Sequence, residues 1–235
     1  MTRRYLALAI LLVAPIAARA DVILDDFTNP GSGTQFVIAS QNSNPYALDP
    51  VNLGGGTIRN AVFTVTSPNP AGPFSLLGVV GGGSADMFFD STSSGNGVIS
   101  YTFGAPIDFS GIGGAAGAVR LTTQSQATIG NPNVAYSLSV QTASGTFSGS
   151  GSFANSAGFI DQDVLFSSLT GSGDLSQVTG LSLTVTGQTA DDFRLDKISL
   201  TEPTVQQVPA PPAVFLALAA LPVLGLRRYL GRKAA

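Results

Sequence analysis

The chain contains no cysteine, no histidine and no tryptophan. Without cysteine it has no disulfide framework, no thiol nucleophile and no iron–sulfur site. Without histidine it has no Ser-His-Asp triad, no imidazole acid or base and no histidine ligand for zinc. Without tryptophan it lacks the best stacking surface for a sugar ring. These absences exclude the commonest catalytic centres, and we expect a protein that is not an enzyme.

Charged residues are scarce and unevenly distributed, at 11% of the chain. Most of the eleven basic residues lie near the two ends, and the span 21–202 keeps Arg59, Arg120, Arg194 and Lys197. The same span holds all fourteen acids, so four cations against fourteen anions give it a formal charge of −10. A surface of this sign repels nucleic acid and anionic membranes, and it attracts divalent cations. We expect no nucleic-acid partner.

The first 20 residues, "MTRRYLALAILLVAPIAARA", have the layout of a secretory signal peptide. Arg3 and Arg4 form a positive start, residues 5–16 form a short apolar segment, and Ala18-Arg19-Ala20 has the small residues of a cleavage site. The pattern predicts an exported protein whose mature chain begins at Asp21.

The last residues, 203–235, read "PTVQQVPAPPAVFLALAALPVLGLRRYLGRKAA" and have three parts. Residues 203–212 form a proline-rich linker, residues 213–226 are apolar, and residues 227–235 are basic. As a helix the apolar part spans about 21 Å, which is shorter than a hydrocarbon core of about 30 Å. The pattern predicts a marginal, temporary span of the inner membrane with the basic tail in the cytoplasm. An ordinary permanent anchor stays open as the alternative.

This tail resembles the PEP-CTERM sorting signal, or its VPLPA-type variant, which exosortases recognise in bacteria that secrete exopolysaccharide. The resemblance makes residues 208–212 the sorting motif, although an alanine stands where the PEP-CTERM family has glutamate, which leaves the exosortase subtype open. It implies processing by an exosortase after transient anchoring, then delivery to the cell surface or extracellular matrix. The motif residues are Val208, Pro209, Ala210, Pro211 and Pro212, and the stop signal is Arg227, Arg228, Arg232 and Lys233.

Between these ends, residues 21–202 are rich in Gly, Ser and Thr and show apolar residues at every second position. Such alternation is typical of strands with one buried and one solvated face. The pattern predicts an all-β, two-sheet antiparallel sandwich. The runs "GVVGGGS", "STSSGNG" and "SGSGS" are interpreted as turns or loops. The inward residues expected are Ala61, Phe63 and Val65; Ile99, Tyr101 and Phe103; Tyr136, Leu138 and Val140; and Leu181, Leu183 and Val185.

The two ends of this domain look alike, as "DVILDDFTNP" and "ADDFRLDKISLTEP". In the second, the apolar phase changes after Leu195, and a β-bulge near Asp196–Lys197 would restore it. With "NLGGGTIRN" and "PIDFSG", these segments resemble a galactose-binding-like jelly roll. The resemblance implies that the first and last strands pair, and often that a structural calcium lies where they meet. The acids that would hold it are Asp25, Asp26, Asp192 and Asp196. Solvated strand-end acids are the alternative.

Together these patterns favour a structural or adhesive protein of an exopolysaccharide or biofilm matrix. The alternative is a non-catalytic carbohydrate-binding module that uses polar loops and rings such as Tyr46, Tyr101 and Tyr136. Two of these tyrosines fall on the predicted core face, which weakens that alternative. Asp161 and Asp163 in "DQDVLF" form a lone pair of acids on a polar segment and are poor candidates for glycoside hydrolysis.

Overall fold

The computed structural model describes residues 21–28, 34–39, 45–68, 76–90, 92–126, 133–188 and 190–202. The chain divides into two compact units, Met1–Pro203 and Thr204–Ala235, and every described residue belongs to the first. The predicted signal peptide, sorting motif, apolar helix and basic tail lie outside the described residues, so they stay predictions. No helix in the described ranges is long and apolar enough to cross a membrane.

The described part of the chain forms strands joined by turns and three short 3-10 segments, at Gly114–Ala116, Phe166–Ser168 and Leu175–Gln177. The strands are β1 Val22–Asp25, β2 Gln35–Ala39, β3 Tyr46–Ala47, β4 Val51–Gly54, β5 Thr57–Ser67, β6 Leu76–Gly81, β7 Ser84–Phe89, β8 Ser94–Ile107, β9 Ala118–Gln126, β10 Ala135–Thr142, β11 Gly145–Ser152, β12 Ile160–Leu165, β13 Thr170–Gly171, β14 Val178–Gly187 and β15 Asp192–Thr201.

The strands build two antiparallel sheets. Sheet A has the order β12-β9-β15-β7-β6-β2, with β1 also paired to β15. Sheet B has the order β13-β11-β10-β14-β8-β5-β3, with β4 also paired to β5. The predicted all-β, two-sheet antiparallel jelly-roll sandwich is confirmed. The expected pairing of the first and last strands is confirmed as well, since Val22 lies opposite Leu200.

The core lies between the sheets and is built from alternate residues of each strand. The inward residues predicted for β5, β8 and β14 are buried, as are Leu138 and Val140 of β10, while Tyr136 is half-buried. The phase change in β15 is a bulge: the register with β9 shifts between Leu195 and Lys197. As a result Phe193 and Ile198 both face the core, as predicted.

Three glycine-rich runs predicted to be turns or loops are partly or wholly strand. Only Gly82-Gly83 turns in "GVVGGGS", and both have positive φ, at 69° and 97°. Residues 94–97 belong to β8, and "SGSGS" lies in β11. These glycines fit in strands because neighbouring side-chain or backbone atoms already occupy the space of a Cβ. A Cβ on Gly78 would lie 2.7 Å from the Phe63 ring, for example.

Candidate functional site

The four acids predicted to hold calcium do not form one group. Asp25 lies opposite Ile198, six residues along β15 from Asp192, which is about 20 Å of strand. Asp26 accepts hydrogen bonds from the hydroxyl and the backbone N–H of Thr28, which lower the pKa of its carboxyl. Among the described residues no cluster of three or more possible metal-ligating side chains is close enough to hold a metal ion. Calcium at these positions stays a prediction.

Asp25 is instead the centre of a buried polar cluster, which we call the clasp. Its Oδ2 accepts hydrogen bonds from Arg59 Nη1 at 2.8 Å and from the Tyr101 hydroxyl at 2.9 Å, and its Oδ1 accepts one from Phe27 N at 2.8 Å. The Arg59 guanidinium also lies 5.1 Å from the centre of the Phe27 ring. Buried charges need such partners, because an unpaired charge in the interior is very costly.

The clasp joins the two sheets, since Asp25 belongs to sheet A while Arg59 and Tyr101 belong to sheet B. Burial, and then the Asp25 charge, raise the pKa of Tyr101 well above its ordinary value, so the phenol stays a neutral donor. Arg59 and Tyr101 are 2% and 3% exposed. These side chains hold the sandwich together, and their burial keeps them from any ligand at the surface.

Of the tyrosines named as possible sugar-binding residues, burial removes Tyr101 from that role, while Tyr46 and Tyr136 are half-buried. Tyr101 is in the clasp, Tyr46 packs against the core, and the Tyr136 ring lies 4.8 Å from that of Phe153. Among the described residues, the exposed aromatic side chains are two phenylalanines. Phe36 on β2 is 67% exposed, and Phe159, just before β12, is 43% exposed.

Phe36 begins a continuous surface on the outer side of sheet A, which we call face A. The registers of five neighbouring strands place side chains there in two cross-strand rows. Four inter-strand spacings make each row about 19 Å long. The first row is Phe36, Val79, Asp86, Arg194 and Gln124, and the second is Ile38, Leu77, Phe88, Asp192 and Gln126.

Face A changes from apolar to polar along both rows. On β2 and β6 its side chains are aromatic or aliphatic, on β7 and β15 they include carboxylates and a guanidinium, and on β9 they are amides. The Arg194 guanidinium pairs with Asp86 at 3.2 Å and lies 5.7 Å from the centre of the Phe159 ring. Phe159 therefore extends the face at its polar end.

Of the two carboxylates in the rows of face A, one is ion-paired within the face. Asp86 has Arg194 as its partner, and burial, followed by the nearby Asp191 charge, raises the pKa of Asp192. Asp161 and Asp163 on β12 are ion-paired as well, because their carboxylates lie 3.7 Å and 2.7 Å from Arg120. These two acids form an ion-paired group on the sheet surface.

An open cleft borders face A at β2. Its volume is about 290 Å³, and Thr34, Gln35 and Phe36 form one wall while Ala47, Leu48 and Asp49 form the other. The exposed carboxylate of Asp49 and the Phe36 ring both line this cleft. An exposed ring beside amide and carboxylate groups suits a ligand with apolar faces and many hydroxyls.

Sequence reasoning missed the apolar half of face A. In "QFVIA" both alternating phases are apolar, so the pattern does not tell which one faces the core. The prediction of a turn at "GVVGGGS" hides the outward position of Val79, and Leu77 lies just before that run. The sequence of this strand carries no signal that Phe36, and not Val37, is the exposed residue.

No protein-family model and no curated protein matches the chain. Among solved structures, it is similar to TmCBM61 in complex with β-1,4-galactotriose, with 14% identity, a TM-score of 0.33, and coverage of 60% of this chain and 81% of that one. It is similar to the Family 11 carbohydrate-binding module from Clostridium thermocellum in complex with a β-1,3-1,4-mixed-linked tetrasaccharide, with 13% identity, a TM-score of 0.39, and coverage of 79% and 97%. An exo-β-agarase matches at 12% identity and a TM-score of 0.38, over 73% of this chain and 25% of the enzyme. With all TM-scores below 0.5, the function proposed below rests on this chain's own residues.

Proposed function

We propose that the β-sandwich is a non-catalytic carbohydrate-binding domain of an exported protein, and that face A is its glycan-binding surface. The observation that carries the proposal is the composition of that face: exposed phenylalanine at one end, amides at the other, and an internally paired arginine between them. Sugar rings have apolar C–H faces and polar edges, so one ligand can contact both kinds of side chain.

The chemistry of face A favours a neutral glycan. The domain carries a formal charge of −10, which repels an anionic polysaccharide. The single guanidinium of face A is already paired with Asp86. Carboxylate and amide oxygens can accept hydrogen bonds from sugar hydroxyls, and the amide nitrogens can donate them. The amide of Gln124 already donates to Ala157 O at 2.9 Å, which orients its oxygen.

The predicted export and sorting signals supply the context. A glycan-binding domain that an exosortase releases among exopolysaccharide chains would act as a structural or adhesive component of the matrix. This larger role extends the hypothesis formed from the sequence, with carbohydrate binding as its molecular basis.

Affinity electrophoresis of the full-length chain in gels with neutral β-glucan, β-galactan or anionic alginate tests the proposal. We expect at least one neutral glycan to retard the protein and alginate to leave it unretarded. Phe36→Ala should weaken binding about tenfold, which corresponds to about 1.4 kcal/mol. The matched control is Leu165→Ala, which removes a 38% exposed side chain of the same sheet outside the two rows. Unchanged affinity in both Phe36→Ala and Phe88→Ala would refute the assignment of face A.

A further inference from the structure

The outer side of sheet B, which we call face B, is a grid of mostly small polar side chains. One row crosses five strands, β11 to β5, in direct register. Its residues are Ser148, Ser139, Ser182, Ser100 and Asn60. The row beside it is Ser150, Ser137, Thr184, Val98 and Val62. The rows at the ends are Thr146, Gln141, Gly180, Thr102 and Ile58, and Ser152, Ala135, Thr186, Asn96 and Thr64. Neighbouring side chains are about 4.8 Å apart across strands and about 6.8 Å apart along them.

Face B differs from the rest of the described surface because it carries no charge, and its larger apolar side chains, Ile58, Val62 and Val98, are confined to β5 and β8. None of the described acids or bases occupies an outward position in these rows. The large exposed apolar side chains of the described residues lie on β1, on β2, or at β12 and the residue before it, and all of these belong to the side of sheet A. In a domain of formal charge −10, this makes face B an uncharged and mostly polar part of the described surface.

The hydroxyls of face B are available to a ligand. Within the described part of the chain, the serines of the central row and Ser137 make no side-chain hydrogen bond, whereas Thr66 and Thr170, at the margins, do. The side chains of Ser100, Ser139 and Ser182 are half-exposed. Each hydroxyl can donate one hydrogen bond and accept others. The grid therefore presents many equivalent donors and acceptors at regular spacing.

A neutral hydroxylated polymer is the occupant that fits this surface. A second copy of the chain fits poorly, because the grid measures about 19 Å by 20 Å, or about 400 Å², while a stable interface needs about 800 Å² from each partner. Two copies would also bring two strongly negative domains together. Single hydrogen bonds contribute only about 0.5–1.5 kcal/mol, so binding at such a surface requires many in parallel, as a polysaccharide chain provides.

We propose that face B is a second surface for neutral polysaccharide, and that the domain bridges two glycan chains, one on each side of the sandwich. The bridging rests on the proposed function of face A. The two sheets of a sandwich pack about 10 Å apart, so the two faces point in opposite directions and two chains can bind without competing. A domain with two such faces cross-links polysaccharide, as expected of a structural matrix component.

Two sets of variants separate the faces. Face A is altered by Phe36→Ala together with Phe88→Ala. Face B is altered by Ser139→Lys with Ser182→Lys, and in a second variant by Ser100→Ala, Ser139→Ala and Ser182→Ala, which removes hydroxyls with little change in volume. The matched charge control is Ser167→Lys, at an exposed position outside both faces. Thermal melts of every variant establish that it is folded before binding is compared.

Two measurements use the full-length chain with soluble mixed-linked β-glucan: affinity electrophoresis for binding and light scattering for cross-linking. We expect each altered-face protein to be retarded less than wild type, with the apparent dissociation constant at least fivefold higher, but still measurably. Wild type and Ser167→Lys should raise the light scattering of the glucan solution, and both altered-face proteins should leave it at baseline.

The other outcomes contradict particular parts of the proposal. If both face B variants bind and cross-link like wild type, the second surface is refuted while face A stands. If the face A variant binds like wild type, the proposed function and the bridging fail together. If no protein binds β-glucan or, in a parallel set of gels, β-galactan, both surfaces are refuted for these neutral polysaccharides. If the wild-type chain is a dimer through face B, shown by light-scattering mass and loss of dimer in Ser139→Lys with Ser182→Lys, a second copy is the occupant.

Discussion

Replacing Arg59 by methionine tests whether the clasp holds the two sheets together. Methionine fills much of the same volume but removes the guanidinium, so Asp25 keeps only the Tyr101 hydroxyl and the Phe27 N–H. Both members of the ion pair are almost fully buried, with side chains 2% and 3% exposed. Breaking such a pair from one side leaves an uncompensated charge in the core.

The expected effect is large. Removing one partner of a buried ion pair costs about 3–5 kcal/mol. For a domain of this size, each kcal/mol corresponds to about 2–4 °C in melting temperature, so Arg59→Met should lower Tm by about 6–20 °C. Tyr101→Phe removes one hydrogen bond to the charged Asp25 and should cost about 1.5–3 kcal/mol. Thermal unfolding followed by circular dichroism measures both changes.

Two comparisons identify the cause. Arg194→Met removes an ion-paired arginine whose side chain is 43% exposed, and it should cost no more than about 1 kcal/mol. Asp25→Asn in the Arg59→Met background removes the unpaired charge and keeps an oxygen for the Phe27 N–H, so it should recover part of the lost stability. If Arg59→Met melts within a few degrees of Arg194→Met, the buried pair does not stabilise the sandwich and the argument is wrong.

Three further predictions concern the acids and the tail. Because the pKa of Asp192 is raised in the folded protein, its ionised form destabilises the fold. Asp192→Asn should therefore raise Tm at pH 7. The gain in Tm should vanish well below the ordinary carboxyl pKa of 3.8, where Asp192 is protonated in both the folded and the unfolded protein. If the four acids at the strand ends hold calcium, millimolar Ca²⁺ should raise the wild-type Tm by several degrees, and a chelator should reverse the increase. The reason is that an ion that binds only the folded state stabilises that state. Identical melting curves would mean that the four acids are solvated or ion-paired groups. Mass spectrometry of surface protein from the native host should find no residues beyond about Pro212, and intact Ala235 there would contradict the sorting signal.

The sequence by itself determined the fold class and the faces of most central strands. Alternation is a local property with a period of two residues, so the inward positions of β5, β8 and β14 could be predicted without any knowledge of their partners. The phase change in "FRLDKISL" located the bulge of β15 for the same reason. Composition also limited the chemistry, because a chain without histidine or cysteine cannot build the sites that depend on them.

Only the tertiary structure decided which residues meet. Asp25 accepts hydrogen bonds from Arg59, which is 34 positions away in the sequence, and from Tyr101, which is 76 positions away. No local sequence pattern encodes such a pairing. The same holds for face A and face B, whose rows join strands that are distant in sequence, so that strand order and register assemble them. Where both phases of a strand are apolar, as in β2, the sequence leaves its buried side open. The packing of one sheet on the other settles it, and it exposes Phe36 while turning Val37 to the core.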